Sequence, residues 1–337
     1  MTTTIVLWAL VAVVAAFFYY SHYVEPRRLG LTRLRVSLPR LPEALEGFTL
    51  LHLSDLHVTG DRDDFGGEMA REAVALAAGL SADIVCLTGD LSQASRAVDA
   101  AAEIIRPLAQ RPVFVVMGNH DHDKMLETEV GRNRVRHVPA SEWCAAIEAT
   151  GATVLQNGHR KVALHGGTLV IAGCGDPSCG WDDLPRTLED EPKGDFHLLL
   201  VHSPDMLDDP RTEWADLVLC GHTHGGQLRL PGIGSPWAPV WRDRRRAYGL
   251  MRFGTTLCYV TRGVAAGFRS RFLCPPEVVQ ITLTRGPGDP AREMRRYRPE
   301  RPRVSHYQRP WTGMHAHAIE KASASGPAPD QPAGEEA

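Results

Sequence analysis

The 337-residue sequence carries little net charge: the formal value is −3 at pH 7. Without a positive field to gather a polyanion, and without a basic run in its central part, the chain is not built to coat DNA or RNA, and no nucleic-acid partner is expected. No CxxC pair occurs among the seven cysteines, which removes zinc ribbons and dithiol redox motifs. Cys86 and Cys220 fall inside apolar runs, where a free thiol behaves as a small hydrophobe, and Cys174 and Cys179 read as two loop thiols rather than a bridge. No internal repeat recurs. No polar side chain interrupts the run IVLWALVAVVAAFFYY, Ile5 to Tyr20; no Lys or Arg precedes it and no small-x-small site follows it, so the marks of a cleaved signal peptide are missing.

What is present is an ordinary globular composition, 43% hydrophobic and 23% charged, enough to bury a substantial core. Extended to Val24, the apolar run approaches the roughly 20 residues a helix needs to cross the hydrocarbon layer. Residues 1–24 therefore read as an uncleaved transmembrane anchor, with Trp8, Tyr19, Tyr20 and Tyr23 available for the interfaces. Arg27, Arg28, Arg33, Arg35 and Arg40 follow the run, and the positive-inside tendency then makes the chain a single-pass protein of the cell membrane with its main domain in the cytoplasm. Residues 25–46 carry proline and arginine and read as an extended connector or an edge strand. The main domain spans 47–285. Residues 286–337 are rich in arginine and proline and end in KASASGPAPDQPAGEEA, a composition that cannot bury a core and predicts a disordered tail.

Within 47–285, five short apolar runs each close on a polar cluster: FTLLHLSDLH, DIVCLTGD, VFVVMGNHD, FHLLLVHSPD and LVLCGHTHGG. They read as strands buried on both faces, with further strands at TLVIAG, LCYVTR and EVVQITL. Met69, Ala73, Leu76 and Leu80 mark one helix. Val98, Ala101, Ile105 and Leu108 mark a second, for which Ser92 is the expected N-cap, and a third helix runs from about Ser141 to Thr150 before Gly151. The strand, helix, strand, helix, strand order predicts an α/β fold with neighbouring parallel strands, whose carboxyl-end loops gather on one edge.

The polar clusters fall on that edge. Asp55 and His57 end the first run, Asp90 the second, Asn119 and His120 the third, His202 the fourth, and His222 and His224 the fifth. Each alone has an ordinary explanation, since a strand-end Asp caps a helix, Asn makes a turn and a lone His fills a core. Asp61, Asp63, Asp64, His122 and Asp123 keep that explanation. Independent caps have no reason to recur at five strand ends on one edge. Carboxylates, an amide and imidazoles without cysteine form a donor set for borderline-hard divalent metals.

These blocks, in this order and approximate spacing, resemble the calcineurin-like metallophosphoesterases. LPRLPEALEGFTLLHLSDLH and TRGVAAGFRSRFLCPPEVVQITL extend the resemblance to the membrane-anchored bacterial phosphodiesterase branch, over about residues 25–283. The resemblance implies a sandwich of two central mixed β-sheets flanked by helices (α/β/β/α), and makes 47–285 a metallophosphoesterase domain. It implies two divalent metal ions per chain (Mn, Fe or Zn): Asp55, His57, Asp90 and His224 on one, Asp90, Asn119, His202 and His222 on the other, with Asp90 bridging. A hydroxide between the metals would then attack a phosphoester, and His120 would contact the scissile phosphate and protonate the leaving group.

Glycines around His222 and His224 let the backbone turn so that the two rings diverge, and Gly225 and Gly226 are expected to leave room for phosphate. LSQAS after Asp90 lacks the GDxVDRG block of protein phosphatases and argues against a protein phosphatase. Arg262, Arg269 and Arg271 are phosphate-binding candidates or salt-bridge partners. The expected activity is that of a phosphodiesterase or phosphatase, with a lipid-linked or nucleotide substrate in view. The alternative is a non-catalytic scaffold that binds a partner protein, whose mark would be lost ligand positions; here all are filled.

Overall fold

The computed structural model describes residues 1–122, 138–190, 192–241, 243–286 and 294–296; Asp123 and most of the expected disordered tail lie outside them. Helix α1 (Thr2–Tyr19) has no buried residue. It opens into a π-turn over Tyr20–Val24 and a tight turn over Glu25–Arg27, so that Thr2–Arg27 is one apolar rod long enough to cross a membrane.

The runs that close on polar clusters divide between two mixed sheets. In the first, β2 (Thr49–Leu53), β3 (Ile84–Thr88), β4 (Val113–Val116) and the short β5 (Thr153–Val154) are parallel. Strand β12 (Glu277–Arg285) runs antiparallel to β2, and β1 (Gly30–Leu38) pairs with β12 at the edge. The segment between anchor and domain is thus the edge strand, not a free connector, because Arg33 and Arg35 can face water while Val36 and Leu38 bury.

The second sheet holds β8 (Phe196–Leu200) and β9 (Leu217–Cys220) between parallel neighbours β7 (Gly167–Gly173) and β11 (Thr256–Val260). β6 (Gly158–Leu164) and β10 (Gly249–Phe253) run antiparallel on either side, and β13 (Met294–Arg296) pairs with β10. Three of the five runs therefore end in one sheet and two in the other, and the polar clusters meet across the sandwich rather than along one sheet edge.

Side-chain alternation builds the layers. Leu50, Ile84, Phe114, Leu198, Leu217 and Leu257 fill the space between the sheets. Leu51, Val85 and Val115 point the other way, into helices α2 (Phe65–Ala78), α3 (Val98–Ile105) and α4 (Ala140–Glu148). The outer face of the second sheet has a thinner cover, with Leu184 of the one-turn α5 (Leu184–Thr187) and the Met206–Leu207 turn. The order is α/β/β/α.

The Asp64 side chain accepts from Gly67 N at 2.7 Å and caps α2. Ser92 does not cap α3, which a tight turn over Ser95–Ala97 precedes; its hydroxyl donates instead to Asp121 at 2.7 Å. The loop carboxylate offers a charge-assisted bond that a helix end six residues away cannot match. Among the described residues all seven cysteines are free thiols.

Candidate metal centre

Ladder bonds carry on past the ends of β2 and β3: Asp55 N donates to Gly89 O, His57 N to Asp90 O and Val58 N to Leu91 O, each at 3.0–3.1 Å. To do so and still aim inward, Asp55, His57 and Asp90 take positive φ of 57°, 47° and 52°, and His222 and His224 take 67° and 49°. Non-glycine residues rarely sit there, and each such position costs of order 1–3 kcal/mol. The strain falls on residues singled out as ligands. Two glycines make the approach possible: a Cβ on Gly118 would collide with the Asp90 carboxylate, and one on Gly221 with Ser54 Oγ. Gly225 and Gly226 do a different job from the one expected. Their open sides face Cys274 with Arg262, and Ser235 with Trp237, so the space they leave serves packing and not phosphate.

Three groups of donors converge, with ligand atoms within 4.8 Å of one another in each: Asp55, His57 and His224; His57, Asp90 and His120; Asp90, His202 and His222. Asn119 joins the last, its Oδ1 lying 2.9 Å from His222 Nδ1. All eight expected site residues thus come together, and the two histidines of GHTHGG part toward opposite ends of the cluster, one to Asp55 and the other to His202.

Three of the imidazoles are held by the far nitrogen. His202 Nδ1 donates to Thr88 O (2.6 Å), His224 Nδ1 to Ala265 O (3.1 Å) and His57 Nδ1 to Gln93 Oε1 (2.8 Å). Because a carbonyl only accepts, Nδ1 carries a proton and Nε2 faces the cluster, with a free lone pair on His57 and His224. His202 Nε2 then lies 3.1 Å and His57 Nε2 3.6 Å from Asp90 Oδ2. Gln93 was not among the residues read as functional from the sequence. It joins His57 to His120, whose Nδ1 is 3.1 Å from the Gln93 carbonyl and 3.3 Å from its side-chain amide. Asp121 ties the loops together, its oxygens accepting from Ser92 N (2.9 Å) and Gly118 N (3.0 Å).

The electrostatics suit a cation. Burial drives the His57 imidazolium down to about 3, helped by neighbouring His120, and His222 to about 4, helped by His202. Burial, then His57, holds His224 well below its ordinary value, so these three are neutral donors at pH 7. Burial pushes the Asp55 carboxyl up to about 7, with Asp90 contributing. Burial works against ionising Asp90, yet the imidazoles of His202 and His120 hold its carboxyl well below the usual range. The Asp90 carboxylate in turn lifts buried His202 well above its ordinary value, so the protein without metal keeps a proton where a cation would compete for the same atoms.

Among the described residues, buried Asp55 Oδ2 and His57 Nε2 have no hydrogen-bond partner, and His57 Nε2 faces the cluster. Orphaned buried donors of this kind are costly unless a ligand completes them, and the set fits divalent metal.

The calcineurin-like phosphoesterase family model matches residues 48–226, from the start of β2 to the last glycine of GHTHGG. The phosphodiesterase YaeI of Escherichia coli (strain K12) is 35% identical over 272 residues, covering 79% of this chain and 92% of its own. The chain belongs to the calcineurin-like phosphoesterase family. The metallophosphoesterase YkuE of Bacillus subtilis (strain 168) is 28% identical, with 78% of this chain and 88% of its own covered. UDP-2,3-diacylglucosamine pyrophosphatase LpxG of Chlamydia muridarum is 24% identical over 329 residues, 82% and 95% of the two chains. The family member described here is a metal-dependent hydrolase of phosphoester bonds.

The arginines read as phosphate candidates have other occupations. Arg262 pairs with buried Glu277 at 2.7 Å. Fully buried Arg271 donates to the carbonyls of Arg262, Cys274 and Ala265. The Arg269 guanidinium lies 4.0 Å over the Phe65 ring.

Proposed function

We propose that this enzyme is a phosphodiesterase that works with two divalent cations, held by Asp55, His57, Asp90 and His224 on one side and by Asp90, Asn119, His202 and His222 on the other. The observation that carries the reading is the place of Asp90, the one carboxylate belonging both to the group with His57 and to the group with His202 and His222. Two close cations need a shared anion, and neutral imidazoles leave the pair positive toward phosphate. When bound, such ions polarise phosphoryl oxygens and acidify water near neutral pH.

The chain's own part is positional. Nδ1 anchors on Thr88, Gln93 and Ala265 fix the ring planes of His202, His57 and His224 before any substrate arrives. His120 is the only one of the clustered histidines that stays partly exposed without being placed on a metal. Anchored through Nδ1 on the Gln93 carbonyl, it leaves Nε2 as the atom to give a proton to a leaving oxygen. Relatives named a phosphodiesterase and a pyrophosphatase of a diacylated sugar nucleotide support substrates with two substituents on phosphorus, one of them a lipid.

Metal analysis of the full-length chain in detergent, joined to turnover of monoester, diester and pyrophosphate substrates, tests the proposal. Two equivalents of metal and diester turnover are expected. Asp90→Ala should lose both, while His120→Ala should keep its metal and lose about 10²–10⁴-fold in turnover of a substrate with a poor leaving group. One equivalent of metal, or an unimpaired His120→Ala, defeats the assignment.

A further inference from the structure

Four residues beyond His224 the chain enters a turn that leaves its apolar side chains in the open. Leu228, Leu230, Ile233 and Trp237 are 37%, 43%, 64% and 65% exposed, and beside them Phe268 and Leu273 are 65% and 48% exposed. Isolated apolar residues on a surface need no explanation, but a contiguous group of this size marks a contact.

The backbone shows where the group sits. Arg229 N donates to Phe272 O and Phe272 N to Gln227 O, both at 2.9 Å, so the turn is stitched to the 268–274 segment. That segment is also the seat of the apolar rod. The Phe272 ring is 5.0 Å from Phe17 and 6.3 Å from Tyr20, Arg271 N donates to Ser21 O at 2.8 Å, and His22 Nδ1 meets Ser270 Oγ at 3.1 Å. The exposed turn therefore adjoins the end of α1, and its surface continues that of the rod.

It adjoins the cluster as well. Cys274 Sγ donates to His224 O at 3.3 Å, and Arg229 Nη1 to Gly225 O at 3.1 Å. Only one kind of occupant meets both an unburied apolar helix and the apolar surface that extends it, with tryptophan at its margin and, at the same exit, Arg28 on the Tyr20 hydroxyl at 3.0 Å: a lipid surface.

We propose that the turn from Leu228 to Trp237, with Phe268 and Leu273, beds into the bilayer beside α1, so that the cluster receives its phosphoester from a lipid headgroup in that leaflet. The substrate half rests on the hydrolase reading above; the bilayer contact does not.

Two measurements on the full-length chain in phosphatidylethanolamine and phosphatidylglycerol vesicles separate them. Cys144 is the one cysteine not buried, so Cys144→Ala with Ile233→Cys directs a spin label to the turn. The label should collide with dissolved oxygen more than with a water-soluble nickel chelate; the reverse overturns the contact. In the parent sequence, Ile233→Asp with Trp237→Asp should cut turnover of a vesicle-borne phospholipid diester about tenfold or more, the scale of losing one large buried apolar side chain. Turnover of bis(p-nitrophenyl) phosphate by the same vesicles should stay unchanged. An equal effect on both substrates, or on neither, overturns the lipid route. If the metal-loaded parent cleaves neither diester, the hydrolase reading has failed, and the spin label still decides the contact.

Discussion

Gln93 shows how a single side chain can be indispensable to a site without announcing itself. Its Oε1 fixes the proton of His57 on Nδ1, and its backbone carbonyl holds His120, so one residue sets the tautomer of a donor and the aim of the proposed acid. Gln93→Ala should weaken metal binding by about 10–100-fold, the usual effect of removing the partner behind a ligating histidine. Gln93→Glu, which still accepts from His57, should recover most of it. Calorimetric titration of the metal-stripped protein reads this directly, and equal affinity in parent and Gln93→Ala would mean that Asp90 alone orients the ring. The proposed ligands were legible because Asp, Asn and His recur at strand ends, where a buried sheet has no other use for them. Gln93 was not, because a glutamine five residues past a strand looks like any solvated loop residue until the fold sets it between two imidazoles.

At the scale of elements, the tie between β1, β11 and β12 depends on Glu277. Its carboxylate accepts from Thr32 Oγ1 (2.5 Å), Tyr259 Oη (3.1 Å) and Thr261 Oγ1 (3.0 Å), and pairs with Arg262. Burial opposes the charge, but Arg262 and these donors hold the carboxyl below its ordinary range. Glu277→Gln would leave a largely buried guanidinium unpaired, a loss of about 3–5 kcal/mol for broken pairs of this kind. A carboxyl with a lowered folded-state pKa stabilises fully above its unfolded value of about 4.3, and that contribution is lost as pH falls through the folded-state value. Urea unfolding in detergent should therefore show a large gap between parent and Glu277→Gln at pH 7 that narrows steadily below pH 4. A gap independent of pH would assign the loss to packing.

The same strands show what pattern alone could reach. Runs buried on both faces, such as DIVCLTGD and EVVQITL, were readable, whereas β6 and β10 were not. β6 is half exposed along GHRKVAL, and a polar edge strand has no periodic signal to separate it from loop. Nor could periodicity tell that the fourth and fifth runs belong to a second sheet, since pairing partners far apart in sequence leave no local trace. The Ser92 cap failed for a related reason: Asp121, brought in from the next strand's loop, competes for its hydroxyl.

For the whole molecule, the seating of the rod against Phe272 and Ser270 means that the side of the membrane reached by its end is the side on which the metal centre works. The positive-inside tendency predicts that this side is the cytoplasm. Arg27 ends the rod and Arg28, Arg33, Arg35 and Arg40 follow it, all exposed, where positive charge is retained on the inner face. Fused after residue 337, a green fluorescent protein should fluoresce and an alkaline phosphatase should stay inactive. Replacing the five arginines by glutamine should weaken that bias, because it removes the charge that opposes translocation. An active phosphatase fusion on the parent chain would put the centre on the outer face, and the lipids within reach of the Leu228–Trp237 turn would then be those of the opposite leaflet.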